Sequence, residues 1–362
     1  MNYDEKIKMF SDVFAPSFGE KILILIDKPH DNIKDNSKWK DRREMAYEWY
    51  ESLKKMGNNE GFSVEIFEFN ATRIHNTDLP QEIIDRVIKS DIVIAMTEYS
   101  ASAPLAGACR IEGSTTRAIS MPTVERRMEE TAFKANYSDV QIYSENIKKM
   151  LTKAISADVL FSTGDKLFLD LRNRKAHADG GSCKKAGILI NFPSGEGYIA
   201  PYEGIGDEVD QFGESKTEGI LPDNQHEKLL KYKVEKNKIV EVIWSGESAD
   251  KMRKFFDDDE THRNIAELGI GCNPKAVVTG NILEDEKVGG LHIAYGTSIH
   301  TGGRTQSDMH QDICFPKGLP GAVKTLLLNN PDGSRVELIT NGDLRYDLLK
   351  WSSRISFFIK KN

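Results

Sequence analysis

Two short blocks near the C-terminal end carry metal-capable side chains at strand spacing: Leu291-His292-Ile-Ala-Tyr295 and His310-Gln-Asp312. In an extended strand successive side chains alternate between faces, so His310 and Asp312 point the same way. An imidazole and a carboxylate aimed at one spot make half of a metal site, and His292 is a third candidate ligand. Two imidazoles and a carboxylate suit Zn, Mn, Co or Fe, and such an ion is catalytic when one of its positions stays open.

Two further segments place a carboxylate among small residues. Glu196 lies between glycines in Asn191-Phe-Pro-Ser-Gly-Glu196-Gly-Tyr-Ile-Ala-Pro201, where the backbone is free to turn the side chain inward. Glu267 is the only charge in Asn264-Ile-Ala-Glu267-Leu-Gly-Ile-Gly271. Such a carboxylate either faces solvent or needs a cation, because burying it unpaired is costly. Plainer roles exist for each: a surface turn for Glu196, an ion pair with Arg263 or Lys275 for Glu267, a hydrogen-bonded core position for His292. His-x-Asp also arises by chance. On the residues alone, a metal site and these structural roles both stay open.

Other features exclude chemistry or leave it open. Gly302-Gly303 before Arg304 lacks the continuation of a phosphate loop. No Gly-x-Ser-x-Gly elbow is present, which removes support for a serine hydrolase. His177-Ala-Asp179 repeats the His-x-Asp spacing and reads as an interdomain turn or as a contributor to the same cleft.

The elements that must position these residues divide the chain of 362 residues in two. Residues 1–180 read as an open α/β sheet domain. Lys21–Asp27 is a buried central strand, Phe62–Phe69 and Asp91–Thr97 are further strands, and Ser37–Lys55 is an amphipathic helix ended by Gly57. Tyr137–Ala157 is a helix that closes this domain, and Asp158–Thr163 could still belong to its sheet. Residues 181–362 read as a β-rich α+β domain holding the metal. Its strands are Ala186–Phe192, Ile239–Trp244, Leu291–Tyr295, Ala322–Leu328 and Arg335–Thr340, interrupted by a helix over Ser248–Asp259.

Bulk properties narrow the class. With 39% hydrophobic and 29% charged residues and a net charge of −7, the chain reads as a globular protein without the basic footprint of nucleic-acid binding. No apolar run is long enough to span a membrane. The start of the chain lacks the apolar centre of a signal peptide, and four dispersed cysteines (Cys109, Cys183, Cys272, Cys314) read as reduced thiols. The expected location is cytoplasmic.

The blocks at 191–201, Glu-Leu-Gly at 267–269, His-Ile-Ala-x-Gly at 292–296 and Ser-x-x-His-x-Asp at 307–312 resemble, in order, those of the M29 metallopeptidases, the aminopeptidase T group. The resemblance implies two divalent ions (Zn, Co or Mn) held by Glu196, Glu267, His292, His310 and Asp312, with Glu267 as the bridging, catalytic carboxylate. It implies hydrolysis of the first peptide bond of a small peptide with a free N-terminus, and a homodimer. One position departs from the pattern: the family's tyrosine, seven residues after the first histidine, is Ile299 here. Tyr295 and His300 are near in sequence but point elsewhere if the strand is regular. Arg304 and Arg263 are candidate supporting cations.

A second resemblance is to the ring-cleaving 2,5-dihydroxypyridine dioxygenases, which use one Fe(II) and a small-molecule substrate. There His310 and Asp312 remain ligands, His292 or His262 is the third, and Glu196 and Glu267 orient the ligands or move protons.

Overall fold

The computed structural model describes residues 1–226 and 228–350, which form a mixed α/β protein of two compact units. The first unit comprises Met1–Gln141, Asp179–Ser194 and Pro274–Glu284, and the second comprises the rest. Each unit draws on three separate stretches of the chain.

The first unit is built on a five-stranded sheet ordered Ser63–Asn70, Lys21–Lys28, Ile92–Met96, Arg117–Ser120, Leu189–Asn191, with every neighbouring pair parallel. Parallel strands are covered on both faces and so read as continuous apolar runs. Lys21–Lys28 is buried at its six interior positions, as its sequence requires. Leu189–Asn191, expected among the strands of the second domain, instead adds to this sheet. The expected stop at Gly57 is also corrected. The helix runs Ser37–Glu60 and ends at Gly61, whose φ of 83° supplies the left-handed cap. Gly57 lies inside the helix, and Phe62 packs where a side chain would be: an added Cβ would meet the Phe62 carbonyl oxygen at 2.5 Å.

The second unit contains two sheets. An eight-stranded sheet runs Lys238–Val242, Leu230–Glu235, Glu218–Asp223, Lys166–Asp170, Ser156–Phe161, Val323–Asn329, Arg335–Thr340, Asp343–Leu344, and its paired neighbours are antiparallel. Ser156–Phe161 sits at its centre, so the run Asp158–Thr163 belongs here and not to the first sheet. The five-stranded sheet runs His310–Cys314, Gly290–Gly296, Ile265–Gly271, Glu196–Ile199, His177–Asp179. Its first four strands pair antiparallel. One core serves the unit, with Phe256, Tyr232 and Tyr295 meeting edge to face at centroid distances of 5.4 to 6.4 Å.

Candidate metal centre

The five-stranded sheet sorts its side chains by alternation. Cross-strand partners are Gly271 with Glu196, Gly269 with His292, Glu267 with Ala294, Ala294 with Asp312, and Gly296 with His310. Residues in one cross-strand row share a face, as do residues two apart along a strand. Glu196, Glu267, His292, His310 and Asp312 therefore all emerge on one face. The other face supplies Ile199, Leu268, Ile270, Leu291, Ile293, Tyr295 and Ile313 to the apolar core. Burial of that face fixes the register, since a slip of one residue would exchange the two sets.

Small residues make room for the large ones. Gly269, Gly271, Ala294 and Gly296 occupy the same face, between the five functional side chains. A Cβ on Gly269 would lie 1.8 Å from His292 Nε2, so the imidazole fills the space that any other residue would occupy. The Glu-Leu-Gly block is thus a carboxylate followed by the vacancy its neighbouring histidine needs.

Glu267 is the centre of the cluster. Its Oε1 lies 3.1 Å from His292 Nε2 and its Oε2 lies 3.6 Å from His310 Nε2. Glu196 Oε2 is 3.4 Å from His292 Nε2, and Asp312 Oδ1 is 3.6 Å from His310 Nε2. Two groups of donor atoms result, each with its atoms within 4.8 Å of one another: Glu196, Glu267 and His292, and Glu267, His300 and His310. Glu267 belongs to both.

The donor set fits a divalent ion. His310 Nδ1 lies 2.8 Å from the Thr297 carbonyl and donates to it. That bond directs Nε2 at the oxygens of Glu267 and Asp312. A lone pair facing two carboxylates is unfavourable unless a cation, a proton or a metal, sits between them. Metal-bound histidines are oriented in this way through their second nitrogen.

Without a metal, protons fill that role. Burial alone would push the His292 imidazole down. Its hydrogen bond to Glu267 and the charges of Glu196 and Asp312 override this and raise it to about 9. Burial is likewise outweighed at His310, where Asp312, Glu267 and the Thr297 carbonyl raise the ring to about 10. Asp312 is held well below the usual carboxylate range: burial opposes this, but the neighbouring imidazolium of His310 prevails. Glu267 moves up, chiefly through burial.

A pH dependence follows. Because both imidazoles are raised in the folded state, their contribution to stability is complete below the ordinary value of 6.5 and is lost as pH rises through about 9 and 10. Chelator-treated protein should melt a few degrees lower at about pH 10 than at about pH 7. A flat or rising profile across that window contradicts the protonated pair. Divalent ions compete with the same protons, so their affinity should rise over the same range.

His300 was expected to point away and does not. The strand ends at Gly296, whose φ is 105°, and a short turn over Ile299–Thr301 follows. This brings the His300 ring edge-on to His310 at a centroid distance of 4.5 Å, while Ile299 is left 53% exposed. The loop is anchored on buried Glu203, which accepts from Ser298 Oγ at 2.6 Å and from the backbone N–H groups of Arg304 at 2.6 Å and Thr305 at 3.1 Å. His300 is itself exposed, and partial shielding from water together with the charge of His310 lowers its imidazole to about 4.

The other candidates lie elsewhere. Arg304 pairs with Asp207 and Glu208, and Arg263 bonds the carbonyls of Phe256 and Ile239 and the Asp257 carboxylate. Neither supports the cluster. His262 has both nitrogens engaged, by the Phe255 carbonyl at 2.9 Å and Asp308 at 2.8 Å. His177 stacks on Tyr198 at 5.6 Å. Tyr295 packs into the core.

Lys287 and Glu286 were missed. Lys287 Nζ lies 2.6 Å from Glu196 Oε1 and 2.7 Å from Glu286 Oε1. Glu286 is raised to about 7, mainly by burial. In the sequence they belong to Glu284-Asp-Glu-Lys-Val-Gly-Gly290, which reads as a solvated loop. The signal that could have found them is Gly271. A Cβ there would meet the carbonyls of Val288 at 2.2 Å and Glu286 at 2.4 Å, so the chain crosses directly over it.

No protein-family model matches this chain, and no curated protein matches it in sequence. Among solved structures it is similar to the 2,5-dihydroxypyridine dioxygenase from Pseudomonas putida KT2440, with a TM-score of 0.64 and 16% identity over 95% of this chain and 98% of that one. It is also similar to wild-type AmpT from Thermus thermophilus, an M29 aminopeptidase T, with a TM-score of 0.60 and 14% identity over 95% and 99% of the two chains. Both are enzymes. At these identities the likeness is one of fold, and both families that the sequence resembles are among those whose fold this chain shares.

Proposed function

We propose that the chain is a metal-dependent, aminopeptidase-like hydrolase that removes N-terminal residues from small peptides at a dinuclear centre. The observation that carries this reading is Glu267, whose two oxygens each face a different imidazole. A carboxylate placed this way can bridge two ions. Glu196 and His292 complete one pocket, and His310, His300 and Asp312 complete the other. Bound there, two divalent ions (Zn, Co or Mn) supply an activated water and offset charge developing on the substrate carbonyl.

The chain's own groups set the geometry. Glu267 fixes the separation of the pockets, the Thr297 carbonyl holds the His310 ring with Nε2 inward, and Lys287 fixes one oxygen of Glu196. Ile299 stands exposed where the family carries its tyrosine, and His300 occupies the site side of that turn. The resemblance adds a cytoplasmic homodimer to this reading.

The test is release of the first residue from peptides with a free amino terminus. Cleavage should stop when that amine is acetylated, and should fall at least about a thousandfold in Asp312→Ala with the fold retained. Unchanged turnover in Asp312→Ala contradicts the site.

One observation favours a second reading. Glu267, His300 and His310 form a set of two imidazoles and one carboxylate, the donor set of a mononuclear Fe(II) oxygenase. Ring cleavage of a dihydroxylated pyridine under air, with one iron per chain, would favour it.

A further inference from the structure

We propose that Lys287 makes the two ion pockets unequal, so that the ion at Glu267, His300 and His310 is held tightly while the ion at Glu196, Glu267 and His292 is weak and exchangeable. The inference rests on the two-ion reading above and adds to it the order in which the pockets fill.

Lys287 is a fixed charge. Its side chain is 0% exposed and its ammonium is held between Glu196 and Glu286. The segment that carries it is pinned over Gly271, where the Asn273 N–H donates to the Lys287 carbonyl at 2.9 Å. The ammonium bonds Glu196 Oε1 at 2.6 Å, which leaves Oε2, 3.4 Å from His292 Nε2, as the oxygen that faces the pocket. An ion held by that oxygen lies within a few ångströms of the ammonium, in a site largely stripped of water. Like charges repel strongly at that range and in that medium. Glu196 is also a weaker donor, because part of its negative charge is spent on Lys287.

The other pocket feels the same charge at Asp312, through space rather than through an ion pair. Among the described residues, no lysine or arginine forms an ion pair with Glu267 or Asp312; their partners are His292 and His310. It offers Glu267, His300 and His310, with the Asp312 carboxylate 3.6 Å from His310 Nε2, and imidazole-rich sets of this kind bind first-row divalent ions well. The two pockets thus differ in donor type and in the ammonium bonded to one of them, whose charge Glu286 offsets in part. An enzyme built this way keeps one ion through purification and depends on added metal for the second.

The experiment is a titration of chelator-treated, full-length protein with Co(II), followed by calorimetry and by the visible d–d bands. The first equivalent should bind at least about a hundredfold more tightly than the second. Lys287→Met keeps the length of the side chain and removes its charge. It should bring the second equivalent to within about tenfold of the first, whereas Lys287→Arg keeps the gap. Glu196→Gln in the otherwise native chain should abolish the weak equivalent and leave the tight one, and this arm stands even if Lys287→Met does not fold. Two equal affinities in the native protein, an unchanged gap in folded Lys287→Met, or loss of the tight ion in Glu196→Gln overturns the inference and leaves the two-ion reading standing. Absence of any bound Co(II) overturns both.

Discussion

Glu267→Ala should remove both ions at once. In the proposed centre Glu196 and His292 serve one pocket, and His300, His310 and Asp312 serve the other; among the described residues Glu267 is the one shared by both donor groups. Chelator-treated Glu267→Ala should take up no Co(II) at concentrations that saturate the native chain. Peptide hydrolysis should fall by at least about a thousandfold, because both sources of charge stabilisation are lost together. His300→Ala and Glu196→Ala provide the contrast, each costing one equivalent. Retention of one ion in Glu267→Ala would show that the carboxylate is not shared.

Gly269→Ala is the second large effect, and it involves no ligand. The added methyl would sit 1.8 Å from His292 Nε2 and within 2.5 Å of two ring carbons, so one of the two groups must shift. The ring is buried, with Glu267 and Glu196 across from its Nε2. Accommodating the methyl means expelling the imidazole or bending the strand. Overpacking of this kind costs roughly 1–3 kcal/mol of stability. The Co(II) equivalent of the Glu196 pocket should disappear and the melting temperature should drop, while the equivalent at His310 persists. Native metal binding in Gly269→Ala would mean that His292 is not held against that strand.

The convergence of these side chains is legible in part because alternation carries it. His310 and Asp312 are two apart, and a strand at that point requires them to share a face. Extending the same rule across the sheet gathers Glu196, Glu267 and His292, once the neighbouring strands are known to pair as they do. The pairing itself was not legible, since partners such as Gly271 and Glu196 lie far apart in sequence. Leu189–Asn191 illustrates the same limit: as an apolar run it gave no sign of which sheet it would join.

The residues that were missed sit where no periodicity operates. His300 reaches the site through a turn, after Gly296 takes a positive φ, so counting along a regular strand sent it the wrong way. Lys287 lies in an acidic loop whose composition suggests solvent, and only its passage over Gly271 brings it inside. Arg304 and Arg263 were chosen by charge alone, and the structure gives each nearer partners. Charge says that a group needs a partner, not which one it will meet.

The most direct test of the shared-carboxylate centre is its stoichiometry at saturation, measured by equilibrium dialysis of the native chain against excess Zn(II) or Co(II) with elemental analysis of the protein. Two ions per chain is the result the bridging Glu267 requires. Saturation at one ion contradicts it and moves the chain toward a mononuclear centre, and no bound ion at all contradicts the metal site itself.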